Sequence, residues 1–441
     1  MGPAPTPAWA GCLELLLDRH VRAGHGGAPA LVEHGAGAPR TLSYRQLQAL
    51  SVAIGHDLAL SLAGSRTPRR IALVGAATLE TVCHWLAAMR AGHLPLLVDP
   101  ALPADQLGRL WAAFDPELVL HDARPGSPAG APFRPVAAWL ASPPVTAPAP
   151  GPERTPPGPY AGAFDWRPAL VQAGGGGERP SLCVHAHRSF WEFERTVGAP
   201  LWQVRRADRV LGTAAPSRPG GLRAVHVALA AGAAAILLPG WRGPDQLLET
   251  IGREAASVLL ATPAQLHLML AGARRHDLSS LALTLCGGER LHAPTRHRWQ
   301  QLSGAGARVL DTVGGAEMFA PYLSESRQGG PGLVRVAGYI YEETRLAGAR
   351  DHDARLPARR RQRTAGRPRR AVRDGRRVRA GRRRPALFVA RRRGVDRGRA
   401  LAVPAGARGM PARRRPGRTR RRVRAGAGAG PARARGAGAR L

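Results

Sequence analysis

The feature that most constrains the fold is a pattern that occurs twice: an apolar run at helical spacing, Ala-Gly, a short apolar run, then proline. It reads "ETVCHWLAAMRAGHLPLLVDP" over residues 80–100 and "VHVALAAGAAAILLPG" over 225–240. Helical spacing closed by glycine predicts a helix and its stop, and the unbroken apolar run after it predicts a strand covered on both faces. A third helix–strand passage runs through "PDQLLETIGREAASVLLATP", residues 244–263. Strands separated by helices of this length imply right-handed crossovers. The expected fold class is therefore α/β, with layered, mostly parallel sheets and crossover helices.

Other segments fit the same alternation. "GCLELLLDRHVRAG" reads as a helix ended by glycine. "TLSYRQLQALSVAIGHDLALSLAG" reads as a longer helix capped by Thr41 or Ser43, and "RIALVG" as a buried strand. Residues 123–168 are dense in Pro, Gly and Ala and predict a long surface connection. The expected organisation is a first α/β subdomain at 1–122, that connection, a second α/β subdomain with a crevice at 169–344, and a tail at 345–441.

The charge is concentrated in the tail. Of 65 basic and 30 acidic residues, 345–441 hold 34 and four, so the tail carries +30 and the rest of the chain +5. Its content is mostly Arg, Ala, Gly and Pro, which buries too little apolar area to offset the entropy of ordering; disorder is the expectation. Such a tail suits non-specific polyanion or nucleic-acid binding, yet Phe388 is its only aromatic residue, so it has no stacking platform. A G- and C-rich coding sequence translated out of frame would yield the same four residue types, which is the other reading of this segment.

Every one of the 65 basic residues is arginine. The absence of lysine excludes Schiff-base chemistry and any phosphate-binding lysine. Cys12, Cys83, Cys183 and Cys286 are too widely spaced for a metal-ligand pair or a disulfide framework, which points to a reducing cytoplasmic setting. The longest apolar run, Val227 to Leu238, is too short to span a bilayer, so no membrane insertion is expected.

Three glycine-rich stretches are candidates for chemistry. In "LVQAGGGGERPSLCVHAHRS", residues 170–189, Gly174, Gly175, Gly176 and Gly177 lie between two short apolar runs. Successive backbone N–H groups in such a loop can form a nest for an anion, although an isolated glycine run is as compatible with a surface hairpin. In "LTLCGGERLHAP" a strand runs into Gly287, Gly288 and Glu289, and in "ARVLDTVGGAEMFAPYLSE" a strand ends at Asp311 and leads to Gly314, Gly315, Ala316 and Glu317. Two such turns on neighbouring strands would open into one crevice at the carboxyl edge of a sheet. A carboxylate there could hold a magnesium ion bridging phosphates. His185 and His187 would share one face of a strand, but no further ligand has metal-site spacing.

Taken in order, these pieces resemble the adenylate-forming superfamily of acyl- and aryl-acid ligases and adenylation domains. The resemblance rests on "TLSYRQLQALSVAIGHDLA", "ETVCHWLAAMRAGHLPLLVDPALPADQL", "AGGGGERPSLCVHAHRS", "VALAAGAAAILLPGW", "ATPAQLHLML", "LSSLALTLCGGERL" and "DTVGGAEMF", and covers about residues 10–340. It implies activation of a carboxylic acid by ATP with magnesium as an acyl-adenylate, then transfer to coenzyme A or a carrier-protein thiol. By the same resemblance the stretch from Ala173 to Ser181 would cradle phosphate, and Gly287, Gly288 and Glu289 would border the adenine. Gly314, Gly315 and Ala316 would line the nucleotide and acyl site, with Glu317 the magnesium carboxylate. This sequence departs from the family's pattern where the loop's hydroxyl residues appear as Ala173, Gly176 and Gly177. The loop lysine appears as Ser181, and the threonine before the magnesium glutamate as Ala316. After residue 340 no Thr/Ser-Gly-Asp turn and no lysine-bearing small domain follow. The resemblance thus implies a truncated or degenerate acid ligase, with a non-catalytic acyl- or nucleotide-binding pseudoenzyme and nucleic-acid binding through the tail as the alternatives.

Overall fold

A computed structural model describes residues 11–35, 37–62, 68–122, 129–141, 167–174, 180–240, 243–329 and 332–336. The basic tail, most of the 123–168 connection, and Gly175, Gly176 and Gly177 lie outside these residues. The strands are β1 (Pro29–Glu33), β2 (Arg40–Ser43), β3 (Arg70–Val74), β4 (Leu94–Val98), β5 (Leu118–His121), β6 (Ala131–Pro132), β7 (Pro168–Gly174) and β8 (Ser181–Ala186). They continue with β9 (Arg209–Gly212), β10 (Ala234–Leu237), β11 (Val258–Ala261), β12 (Leu283–Gly287), β13 (Arg308–Val313), β14 (Leu323–Ser324) and β15 (Val334–Arg335). The α-helices are α1 (Tyr44–Ser61), α2 (Leu79–Arg90), α3 (Ala104–Phe114), α4 (Val136–Ala141), α5 (His187–Phe193), α6 (Pro219–Ala231), α7 (Pro244–Arg253), α8 (Pro263–Met269) and α9 (Ala293–Leu302).

Local chemistry sets the helix boundaries. Ser43, not Thr41, caps α1: its hydroxyl accepts from the Gln46 N–H while the Gln46 side chain accepts from the Ser43 N–H. Thr262 and Gln265 repeat this arrangement at α8, and Thr78 caps α2. Gly92 after α2 and Gly232 after α6 adopt φ of 75° and 77°, the left-handed region that ends a helix without a Cβ penalty. The first helical passage winds more widely than expected, as π-helical turns at Glu14–Asp18 and Val21–His25. Leu15, Leu16 and Leu17 are consecutive and all fully buried, so this segment is enclosed on more than one side.

Two sheets form. In the nine-stranded one, β13, β12, β11, β9, β10 and β1 run parallel, with β2 antiparallel at one edge and β14 and β15 antiparallel at the other. In the six-stranded one, β6, β5, β3, β4 and β7 run parallel and β8 closes the edge antiparallel to β7. Sheet membership crosses the linear division at 122 and 169. β1 pairs with β10 (Leu31 opposite Ala235), whereas β7 and β8 complete the sheet begun by β3 and β4. The 123–168 segment is also not wholly superficial, since Phe133 and Val136 are buried in the main core.

The parallel strands alternate between cores. Val258 and Leu260 of β11, with Leu283 and Leu285 of β12, enter a central core that includes Trp85 of α2 and Val227 and Leu229 of α6. Leu259 and Cys286 point the other way, into a layer with Leu247, Leu266 and Trp299 from α7, α8 and α9. Ala72 and Val74 of β3 pack similarly with Leu110 and Phe114 of α3. Full burial of each such side chain stabilises by about 1.5–3 kcal/mol, which is why both faces of these strands read as apolar. Among the described residues no helix is long and apolar enough to cross a membrane.

Candidate functional site

Three of the glycine-rich stretches end at carboxyl edges of strands. β7 delivers Gly174 and β8 returns with Ser181 directly opposite it, so the two face each other across the neck of the glycine hairpin. β12 and β13 are neighbours with Gly287 paired to Thr312, so the turns at 287–289 and 314–317 leave from adjacent strand ends. β13 runs two residues further than expected, to Val313, before the second turn opens.

Glu317 closes the arrangement. A Cβ placed on Gly174 would collide with Ser181 Oγ and lie 3.0 Å from Glu317 Oε1. The half-buried Glu317 carboxylate is therefore aimed at the neck of the hairpin, and a side chain at Gly174 would have to displace Ser181 Oγ and crowd the carboxylate. A Cβ on Gly315 would likewise meet Glu317 Oε2, so a side chain there would push the end of the Glu317 side chain aside. The structure thus brings together Gly174, Ser181, Gly315 and Glu317, residues separated by up to 143 positions in the chain.

The other turn is built differently. Gly287 is close to Thr312, whose hydroxyl donates to Cys286 O at 2.7 Å; a Cβ on Gly287 would lie 2.7 Å from Thr312 Oγ1. Gly288 has φ of 99°, and a Cβ on it would be in ordinary contact with Thr262 Cγ2 at 3.7 Å. Glu289 is exposed, and its Oε1 accepts from the Ala264 N–H at 2.8 Å, in the first turn of α8. Its carboxylate satisfies one of the free donors that every helix start leaves.

The turn carrying Glu317 is held from beneath by side chains. His185 Nε2 donates to Ala316 O at 3.1 Å, and Arg223 of α6 donates to Gly315 O at 3.1 Å, Met318 O at 3.0 Å and Phe319 O at 3.2 Å. Ala316, buried itself, presents its carbonyl rather than a side chain to this framework. Phe319 anchors the turn in a ring cluster, with centroids 4.4 Å from Phe190, 5.1 Å from His185 and 5.2 Å from His226.

His185 and His187 do not share a strand face. β8 ends at Ala186 and His187 opens α5, where its Nδ1 lies 3.1 Å from Cys12 Sγ. Helix formation at 187 wins because "HRSFWEF" places His187, Phe190 and Phe193 on one buried stripe. Arg223 is the site residue that no motif in the sequence marks. The available signal was a lone charge inside the otherwise apolar "GGLRAVHVALAA" of α6.

Burial drives the pKa of His185, His187 and His226 down to about 3, with the charge of Arg223 adding to the effect at His185, that of Arg167 at His187, and those of Arg19 and Arg223 at His226. All three are neutral in the fold at ordinary pH, which is the state in which His185 can donate from Nε2 alone. The unfolded imidazoles bind protons below about pH 6.5 whereas the folded ones resist until about pH 3. Their contribution to stability is present above pH 6.5 and is lost as pH falls through that window. The expected slope is about 1.4 kcal/mol per pH unit for each histidine. Urea unfolding at stepped pH between 7 and about 4 measures it; a flat profile would contradict the burial of these rings.

Residues 17–346 match the family described as AMP-binding enzyme. A 4-hydroxybenzoate–CoA/benzoate–CoA ligase of Rhodopseudomonas palustris (strain ATCC BAA-98 / CGA009) is 28% identical over 363 residues, covering 76% of this chain and 63% of the ligase. The chain thus spans less than two thirds of that relative. Among solved structures, the nonribosomal peptide synthetase FmoA3 superposes with a TM-score of 0.62 at 22% identity, covering 74% of this chain and 33% of its own. The anthranilate CoA ligase AuaEII, in complex with anthranoyl-AMP, gives 0.61 at 19% identity, covering 76% and 63%. These likenesses carry the fold, and the two-sheet architecture is that of an adenylate-forming large domain. With three quarters of its length matched, this chain belongs to the AMP-binding enzyme family.

Proposed function

We propose that the crevice at the ends of β7, β12 and β13 binds ATP and an aryl or acyl carboxylic acid. There the acid is activated at a reduced rate as an acyl-adenylate, for transfer to coenzyme A or a carrier-protein thiol. The observation that carries this reading is the Glu317 carboxylate set against Gly174 and Ser181 at the neck of a glycine hairpin. The names of the benzoate–CoA and anthranilate–CoA ligase relatives favour an aromatic acid.

The residues present fit a magnesium ion: one carboxylate and one hydroxyl, both hard oxygen donors, beside a backbone stripped of side chains. Glu317 would hold the ion together with substrate phosphates, and the ion would supply neutralisation of phosphate charge. The chain's own contribution is mostly positioning. Gly174 keeps the backbone at the neck bare of a side chain, Ser181 offers a hydroxyl, and Gly288, at positive φ, keeps a side chain off the strand end where a flat ring would lie.

The reduced rate follows from missing donors. No lysine exists in the chain, and Ala316 brings no hydroxyl to the turn beside Glu317. Each lost donor to developing charge costs about 100- to 1,000-fold in rate. The same fact supports a second reading, a binding protein without turnover. Calorimetric titration with ATP and magnesium, paired with benzoate-dependent pyrophosphate exchange, separates the two. Binding with slow, acid-dependent exchange is the expected result. Binding without exchange selects the non-catalytic reading, and no binding at millimolar ATP removes both.

A further inference from the structure

The stretch 314–320 has no regular secondary structure, yet it is tightly held. Four of its carbonyls, those of Gly315, Ala316, Met318 and Phe319, accept from just two side chains, Arg223 of α6 and His185 of β8. These carbonyls flank Glu317 on both sides. Arg223 accounts for three of them, and the nearness of Gly314 has the same origin: a Cβ there would lie 3.3 Å from Arg223 Nη2 and 3.0 Å from Pro321 Cα. A planar guanidinium with five donors can span three carbonyls at once, which an ammonium on a flexible stem cannot do in one fixed geometry.

We infer that Arg223 is a positioning residue: its guanidinium clamps the 315–319 carbonyls so that the Glu317 carboxylate points at the Gly174–Ser181 neck. The inference rests on the reading of Glu317 as the metal carboxylate, but the clamp itself does not. Three facts converge on it. The acceptors bracket Glu317 symmetrically in sequence, with Gly315 two residues before and Phe319 two after. Gly314 keeps the space the guanidinium needs. And α6 is rigid where Arg223 sits, since Leu222, Ala224 and Val225 beside it are all buried. A fixed helix and a fixed fork, acting on a turn whose own backbone bond is the 3.3 Å contact from Met318 N–H to Gly315 O, give a carboxylate whose direction is set from α6. His185 supplies the fourth bond from the other sheet, and Phe319 keeps the turn seated when the clamp is cut.

The test uses the full chain as wild type, Arg223→Lys, Arg223→Met, Glu317→Gln and the Arg223→Met/Glu317→Gln pair. Hydrogen–deuterium exchange without ligand reads the clamp directly. Arg223→Met should speed exchange of the amides of 315–322 by at least about tenfold, while those of Phe190 to Phe193 stay as in wild type. Titration with ATP, in magnesium and in EDTA, reads the coupling to Glu317. Arg223→Met should weaken ATP in magnesium by at least about tenfold and change it by less than about twofold in EDTA, with Arg223→Lys between, and should add little once Glu317 is glutamine. Unchanged exchange at 315–322 overturns the clamp. Equal weakening with and without magnesium, or full additivity with Glu317→Gln, overturns the positioning role. If wild type binds no ATP, the proposed function fails while exchange still decides the clamp. If Arg223→Met does not fold, Arg223→Lys carries both measurements.

Discussion

Gly174→Val is expected to remove ATP binding while leaving the protein folded. Gly174 is the last residue of β7, and the place of its missing Cβ lies against Ser181 Oγ and 3.0 Å from Glu317 Oε1. A branched side chain there would fill the neck of the hairpin and push the carboxylate away. An affinity loss of at least about 100-fold, near 2.7 kcal/mol, is the expected consequence in magnesium. The hairpin would yield at an overpacking cost of about 1–3 kcal/mol, less than most domains have in reserve. Equilibrium titration with ATP, alongside a thermal melt, distinguishes loss of the site from loss of the fold. Wild-type affinity in a well-folded Gly174→Val protein would show that phosphate does not approach at this neck.

Phe319→Ala is expected to have the largest effect on stability of any change near the site. Its ring is 3% exposed and packs against Phe190, Phe193, His185 and His226. Truncation of a ring so enclosed costs about 3–5 kcal/mol, the lost transfer energy plus the cavity that remains. The turn of Glu317 would also lose its apolar anchor, leaving Arg223 and His185 to hold it. Urea unfolding should show a lower midpoint at an unchanged slope. A loss below about 1 kcal/mol would mean that the cluster collapses around the gap and that Phe319 is not the anchor.

Some of this architecture was legible in the chain and some was not. The helix–glycine–strand pattern marks α2–β4 and α6–β10 correctly because capping, helix termination and two-sided burial are local consequences of residue type. Cap choice was legible only to within two residues, since Thr41 and Ser43 carry the same hydroxyl and only the reciprocal bond with Gln46 selects Ser43. Strand membership was not legible. Nothing in "PALVE" says that β1 joins the strands after residue 200, because pairing depends on which edge is free when the layers meet. The place of His187 is not legible for a related reason: a strand and a helix can both use an apolar residue every few positions, and the packing of Phe190 and Phe193 decides between them.

By itself the sequence determined the α/β class, the three glycine-bearing strand ends and the absence of any lysine, all of which follow from local composition and periodicity, and it offered two carboxylates at those ends, Glu289 and Glu317. Only the tertiary structure decided that Glu317, rather than Glu289, faces Gly174 and Ser181, and that Arg223 holds its turn. Glu289 and Glu317 each follow a Gly-Gly pair at a strand end, so their local signals are nearly identical. They are told apart by contacts across 25 residues to α8 in one case and more than 90 to α6 in the other. Contacts of that reach exist only after the sheets have closed over one another.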